Sequence, residues 1–169
     1  MKKILFLIFC GIIIGLIVSL MAAEMIERTS GVTFCSSCHS MKGVSLSYAD
    51  DIHGGMNPLG FKAKCVDCHL PHDSIFHYLT AKAYTGAKDV LGEMFWAKSF
   101  DWLANLKHKE EFVYTSGCLK CHDLGAIHYD IPKAFPAHKD FLSGKVTSCL
   151  QCHENVGHKN IKDFLVKQH

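Results

Sequence analysis

The chain has 169 residues, room for one domain, and a formal net charge of +2. Lys2 and Lys3 supply that surplus; the other 16 basic residues balance 16 acidic ones, and no basic stripe points to nucleic acid. Nine Cys and twelve His form a combination that an ordinary globular composition does not produce.

Ile4 to Ala23 runs twenty residues without a charge. A helix of that length rises about 30 Å at about 1.5 Å per residue, enough to cross a bilayer. Lys2 and Lys3 precede it, and Glu24, Glu27 and Arg28 follow it. The positive flank stays inside and the remainder is exported. This predicts a cytoplasmic stub at 1–3, an inner-membrane anchor at 4–23 and a periplasmic domain at 24–169. A cleaved signal peptide needs small residues at its cleavage site, whereas the candidate sites here place Met21 or Leu20 at the −3 position. The expectation is therefore an uncleaved anchor. Gly11, Gly15 and Ser19 recur every four residues, a small-residue stripe that would suit a homodimer.

Beyond the anchor, eight Cys fall in four pairs: Cys35 and Cys38, Cys65 and Cys68, Cys118 and Cys121, and Cys149 and Cys152. His39, His69, His122 and His153 follow them directly. Cys-x-x-Cys-His is the c-type haem attachment signature. Two thiols add across the two vinyl groups of one porphyrin, and the adjacent imidazole is then held against the iron. A pair of four-cysteine zinc sites would leave the four identically placed His unexplained. A redox dithiol of the thioredoxin kind needs a βαβ setting, which is missing. The expected cofactors are thus four covalent haems.

The first Cys of each motif stands at 35, 65, 118 and 149, at intervals of 30, 53 and 31 residues. Short, long, short reads as two dihaem units joined by an insert. From about Ser74 to Val113 the insert has helical periodicity: Ile75, Leu79 and Ala83 share one face, as do Val90 and Met94. Phe95, Trp96, Phe100 and Trp102 crowd together, which suits a membrane interface or haem edges. Strand signals are scarce. The fold class is mainly α with much irregular structure, packed around four haems, plus one transmembrane helix. The peptide alone builds little core, so porphyrin supplies most of the buried apolar surface.

Four irons have eight axial positions, and the motif His can fill four. The other His are His53, His72, His77, His108, His128, His138, His158 and His169. His53 in Ile52-His-Gly-Gly, His138, and His158 in Val156-Gly-His suit a close backbone approach to a porphyrin. His72 is a fourth candidate. His77 lies inside the insert, and His108 and His169 read as solvated surface. On spacing alone, His39 binds the first iron and Met41 packs against the ring.

An N-terminal anchor, four CxxCH motifs in this spacing and the form Cys35-Ser-Ser-Cys38-His39-Ser-Met41 together resemble the NapC/NirT family of membrane-anchored tetrahaem cytochromes c, the quinol dehydrogenases. The NrfH-type subunits of cytochrome c nitrite reductase are the nearest in pattern. The resemblance implies that Met41 displaces His39 as the proximal ligand of the first haem, and a thioether raises a haem potential. It also implies that Lys82 and Asp89 hold quinol beside that haem. Seven residues apart on a helix, they leave the same face about 10 Å from each other along the axis. Asp89 would accept the proton as the electron leaves. His53, His138 and His158 match the family's other ligands, and one iron there takes a lysine from the partner protein.

The implied activity is oxidation of membrane quinol, with electrons passed through four haems to a periplasmic multihaem reductase of the nitrite reductase type. An octahaem hydroxylamine-oxidoreductase-type or nitrate reductase partner is the alternative. So is a plain electron-transfer module without a quinol site. A terminal reductase needs an open iron, and the surplus of His argues against it.

Overall fold

A computed structural model describes residues 1–124 and 134–166. His128 and His169 lie outside them. Among the described residues every regular element is helical, as expected. The α-helices are α1 (Lys2–Arg28), α2 (Val32–Cys35), α3 (Lys42–Ala49), α4 (Cys65–His69), α5 (Ile75–Trp96), α6 (Trp102–Asn105), α7 (Thr115–Leu119), α8 (Ala134–Leu142) and α9 (Ile161–Val166).

α1 has 27 residues and buries none of them. It is long and apolar enough to cross a membrane. It continues past the apolar run because Glu24 and Arg28, one turn apart, pair at 2.6 Å. Thr29 ends it, its hydroxyl donating back to the Met25 carbonyl at 2.7 Å. No atom lies within 4 Å of where a Cβ on Gly11 or Gly15 would stand, so the small-residue stripe is open along the single chain.

α5 starts where Ser74 caps it, its Oγ accepting the His77 N–H at 3.2 Å. The helix buries none of its residues. Phe76, Tyr84, Met94 and Phe95 are 79%, 71%, 69% and 66% exposed. Lys82 and Glu93 instead turn toward the protein. A contiguous apolar face of this kind marks a surface with a partner.

The peptide core is thin. Tyr48, Leu70, Leu150 and Leu165 are the buried hydrophobic side chains among the described residues, joined by Pro71 and Ser47. α9 packs on α3. α4 packs on α7, with the Tyr114 N–H donating to the Cys68 carbonyl at 2.9 Å. Gly117 permits that approach: a Cβ there would stand 2.0 Å from the Asp67 carbonyl oxygen.

Candidate functional site

The four motifs are spatial neighbours in chain order. The thiols of Cys35 and Cys65 are close enough to act on each other, which sets the first motif beside the second. The α4–α7 contact links the second to the third. Cys118 and Cys149 likewise act on each other through their thiols, which sets the third motif beside the fourth.

All eight motif thiols are free, and they are not equally covered. Cys35, Cys38, Cys65, Cys68, Cys118 and Cys149 are half-buried. Cys121 and Cys152 are exposed, so for these two the peptide does not build the enclosed setting expected of a cofactor-binding residue. The reason is local. Each is the second Cys of its motif and follows a single turn, with the Cys121 N–H donating to the Cys118 carbonyl at 3.2 Å and the Cys152 N–H to that of Cys149 at 3.3 Å. The first Cys of each turn packs against its neighbour, and the second is left on the outer side. An open thiol still suits attachment, because the vinyl group has to reach it.

Three motif imidazoles lie beside three others. Ring centroids lie 6.1 Å apart for His69 and His158, 6.2 Å for His122 and His53, and 6.2 Å for His153 and His138. A metal between two imidazoles needs about 2 Å of bond on each side. Adding the depth from each nitrogen to its ring centre places the centroids about 6 Å apart. The three pairs therefore fit axial ligation of three haem irons.

The surroundings favour the same use. His69 Nδ1 lies 2.7 Å from the Phe112 carbonyl. His53 Nδ1 lies 3.1 Å from Asp51 Oδ1, and Asp51 also accepts the His53 N–H at 2.8 Å. His158 Nδ1 lies 3.1 Å from both the Val44 carbonyl and Ser47 Oγ. A Nδ1 held in this way leaves Nε2 for a metal. Burial pushes the His158 pKa down to about 4, so the ring stays neutral, the form that ligates iron. His138 Nδ1 is buried without a hydrogen-bond partner.

The other candidates are occupied elsewhere. His72 Nε2 lies 3.1 Å from the Val66 carbonyl, and its ring lies beside Tyr78 at 5.4 Å. His77 pairs with Asp73 at 2.8 Å and His108 with Glu111 at 3.2 Å.

The first motif is built differently. In the third and fourth motifs the N–H of the His donates to the carbonyl of the first Cys, His122 to Cys118 and His153 to Cys149, both at 2.9 Å. The second motif lies wholly within α4. In the first, Cys38 is extended, with φ −78° and ψ 139°. The His39 N–H donates instead to Glu93 Oε1 at 2.9 Å. Ser40 adds its N–H to the same oxygen at 3.4 Å and its hydroxyl to Oε2 at 2.5 Å. The Ser40 hydroxyl, and then the backbone N–H groups of Ser40 and His39, hold the Glu93 carboxyl below its usual range. His39 is exposed and, among the described residues, pairs with no other ring; Met41 is half-buried.

Lys82 and Asp89 flank this motif. Both act electrostatically on Cys35, and Asp89 acts on Cys38 and His69 as well. Lys82 Nζ donates to the Thr29 carbonyl at 3.1 Å and to Ser30 Oγ at 3.0 Å, tying α5 to the end of the anchor. Desolvation holds its ammonium below the usual lysine range. The Asp89 side chain is open, yet the chain around it shields it enough to hold the carboxyl above the usual range. A cavity of about 540 Å³ opens between the end of α1 and the start of α5, lined by Ile26, Ser30, Ile75 and Tyr78 among others. Neither Lys82 nor Asp89 lines it.

Three residues that orient this site were not singled out by sequence reasoning: Glu93, Asp51 and Ser47. Glu93 lies four residues beyond Asp89 on α5, so a stripe running from Lys82 through Asp89 was there to extend. Asp51, two residues before His53, has the spacing at which an Asp side chain bonds its own backbone.

Residues 1–163 match the profile of the NapC/NirT cytochrome c family, N-terminal region. The cytochrome c-type protein TorY of Escherichia coli O157:H7 is 30% identical over 151 residues, 82% of this chain and 40% of TorY. The chain thus spans about two fifths of that relative. The tetraheme c-type cytochrome CymA of Shewanella oneidensis is 30% identical over 92% of this chain and 90% of its own length. A crystal structure of the cytochrome c nitrite reductase NrfHA complex bound to the HQNO inhibitor contains a similar chain. It has a TM-score of 0.64, 25% identity, and coverage of 90% of both chains. This chain belongs to the NapC/NirT cytochrome c family.

Proposed function

We propose that this chain oxidises quinol at the outer face of the membrane and relays the electrons, one at a time, through four c-type haems to a periplasmic multihaem reductase. As a member of its family it crosses the inner membrane once, with its haem-bearing part in the periplasm. The observation that carries the proposal is the asymmetry among the motifs. Three have an imidazole pair at the spacing an iron needs, while the first has none among the described residues and is flanked by Lys82 and Asp89.

In this reading His69/His158, His122/His53 and His153/His138 hold three irons, and Met41 holds the first. When bound, each haem accepts and passes on a single electron. His158 and His53 come from far along the chain, so ligation ties the fold together. His158 would fill the second motif's far position from within this chain.

Quinol reaches the site along the apolar face of α5, beside the anchor. Asp89 takes the hydroxyl proton as an electron leaves. Its raised pKa suits a group that must both accept and release a proton. Lys82 holds α5 at the membrane exit through Thr29 and Ser30, and its ammonium has a hydrogen free for a quinol oxygen.

The partner we favour is a nitrite reductase of the kind in the NrfHA complex. A hydroxylamine-oxidoreductase-type or nitrate reductase partner uses the same relay. The test is haem reduction in membranes by a quinol, set beside reduction by dithionite, which bypasses the site. Quinol should reduce all four haems. A protein reduced by dithionite and never by quinol is an electron-transfer module instead.

A further inference from the structure

We propose that Glu93 selects the axial ligand at the first motif. Its carboxylate holds the Cys35–Met41 segment in an opened turn that withdraws His39 and presents Met41. The inference rests on the reading of Met41 as that iron's ligand.

One hydrogen decides the shape of the turn. The N–H of a motif His has one obvious acceptor, the carbonyl of the first Cys four residues earlier. His122 and His153 use it, at 2.9 Å each. That bond closes a helical turn and fixes where the imidazole projects from the two cysteines. His39 gives its N–H to Glu93 Oε1 instead, at 2.9 Å. A single N–H does not serve two well-aligned acceptors, so the turn at the first motif stays open. The break is visible at Cys38, extended at ψ 139°, where the matching Cys152 of the fourth motif is helical at ψ −34°.

Glu93 also builds the segment beyond the break. His39–Met41 form a short 3-10 turn that runs directly into α3. The leading N–H groups of such a turn have no acceptor of their own. Glu93 takes two of them and the Ser40 hydroxyl besides. Bonds to an ionised carboxylate are stronger than neutral ones. The motif's own sequence cooperates: Ser40 supplies a hydroxyl where the other motifs carry Leu70, Asp123 and Glu154. The turn places exposed His39 and half-buried Met41 two residues apart, in different surroundings.

Glu93 is a positioning residue, since its contacts are with the turn. It shares α5 with Asp89, one turn away, so one helix carries both the proposed proton acceptor and the clamp on the iron's ligand. The carboxylate on the turn is a device that CxxCHxM alone does not encode.

The experiment uses the full-length, haem-loaded protein with four haems confirmed by mass. It reads the near-infrared thioether-to-iron charge-transfer band and the potentials of the individual haems. The parent should show one such band. Glu93→Ala should abolish it and lower one potential, because His39 regains the Cys35 carbonyl and takes the iron. Glu93→Gln should keep it, since an amide oxygen still accepts the His39 N–H. Adding His39→Ala to Glu93→Ala should bring the band back, a rescue that a merely structural role for Glu93 would not give. If Glu93→Ala loads fewer than four haems, Glu93→Asp, too short to reach His39, gives the same reading. A band and potentials unchanged in the alanine variant, or in the aspartate variant where that one is needed, overturn the proposal and leave Met41 ligation standing. A parent without the band, or a band that survives Met41→Leu, overturns both.

Discussion

The first haem-attachment motif and the other three share a five-residue signature and fold it in two ways. At the second, third and fourth, the turn is closed and the His faces an imidazole brought from elsewhere in the chain. At the first, the turn is open, clamped by Glu93, and flanked by a lysine and a carboxylic acid. Covalent attachment needs only the two cysteines, so the signature constrains where a porphyrin hangs. In the proposed function, what completes each iron is set by residues outside the signature. Three sites proposed to pass electrons would then need saturated, matched irons. The site proposed to meet quinol would need a proton acceptor and a higher potential.

The largest effect expected from this contrast is on quinol chemistry. Asp89→Asn keeps the side chain's shape and loses its proton-accepting ability. Quinol-driven haem reduction should fall about 10²–10⁴-fold. Reduction by dithionite should be unchanged, and equal quinol rates in variant and parent would place the site elsewhere.

The pH profile sharpens the same point. Desolvation raises the Asp89 pKa, so its protonated form persists to higher pH than in an ordinary carboxylate. The quinol-driven rate should therefore climb as pH rises through that raised value, and Asp89→Asn should flatten the climb. The stability linkage runs the other way. The contribution of Asp89 is complete below the ordinary carboxylate pKa and is lost as pH rises through the raised one.

Next come the His proposed as ligands. His158→Ala should remove the bis-imidazole signature of one haem and leave the other two. His39→Ala should leave all three intact, which separates the two kinds of motif by spectroscopy. An altered imidazole signature in His39→Ala would mean that His39 ligates after all.

The smallest effect belongs to the orienting groups. Ser47→Ala removes one bond to His158 Nδ1, while the Val44 carbonyl remains at 3.1 Å. Chemical denaturation of the haem-loaded protein should show a loss of about 0.5–1.5 kcal/mol, the range of a single neutral hydrogen bond. A loss several times larger would mean that Ser47 carries more of the His158 geometry than Val44 does.

The parts of the site carried by residue identity and spacing were legible in the sequence. The four motifs and the anchor are local patterns. His53, His138 and His158 were favoured over the other spare His, and the structure brings each to a motif imidazole. Their pairing was not legible. His158 meets His69 across most of the chain, through the packing of α9 on α3, and no local rule encodes that. Nor does the signature distinguish the exposed Cys121 and Cys152 from the six covered thiols, since cover comes from whichever element packs alongside. α5 was legible as an amphipathic helix, yet two of its polar residues, Lys82 and Glu93, turn toward the protein while its large apolar residues are exposed. Periodicity gives a stripe and not the side on which the protein lies. Glu93 escaped because its role depends on a backbone break 53 and 54 residues away, and an exposed helix normally carries such a carboxylate for solubility.

Near-infrared magnetic circular dichroism of the purified four-haem protein counts axial ligand sets, and so separates the two kinds of motif in one spectrum. Three bis-imidazole irons and one thioether-bearing iron are expected, with the latter lost in Met41→Leu. Four bis-imidazole irons in the parent would contradict the division between the first motif and the rest.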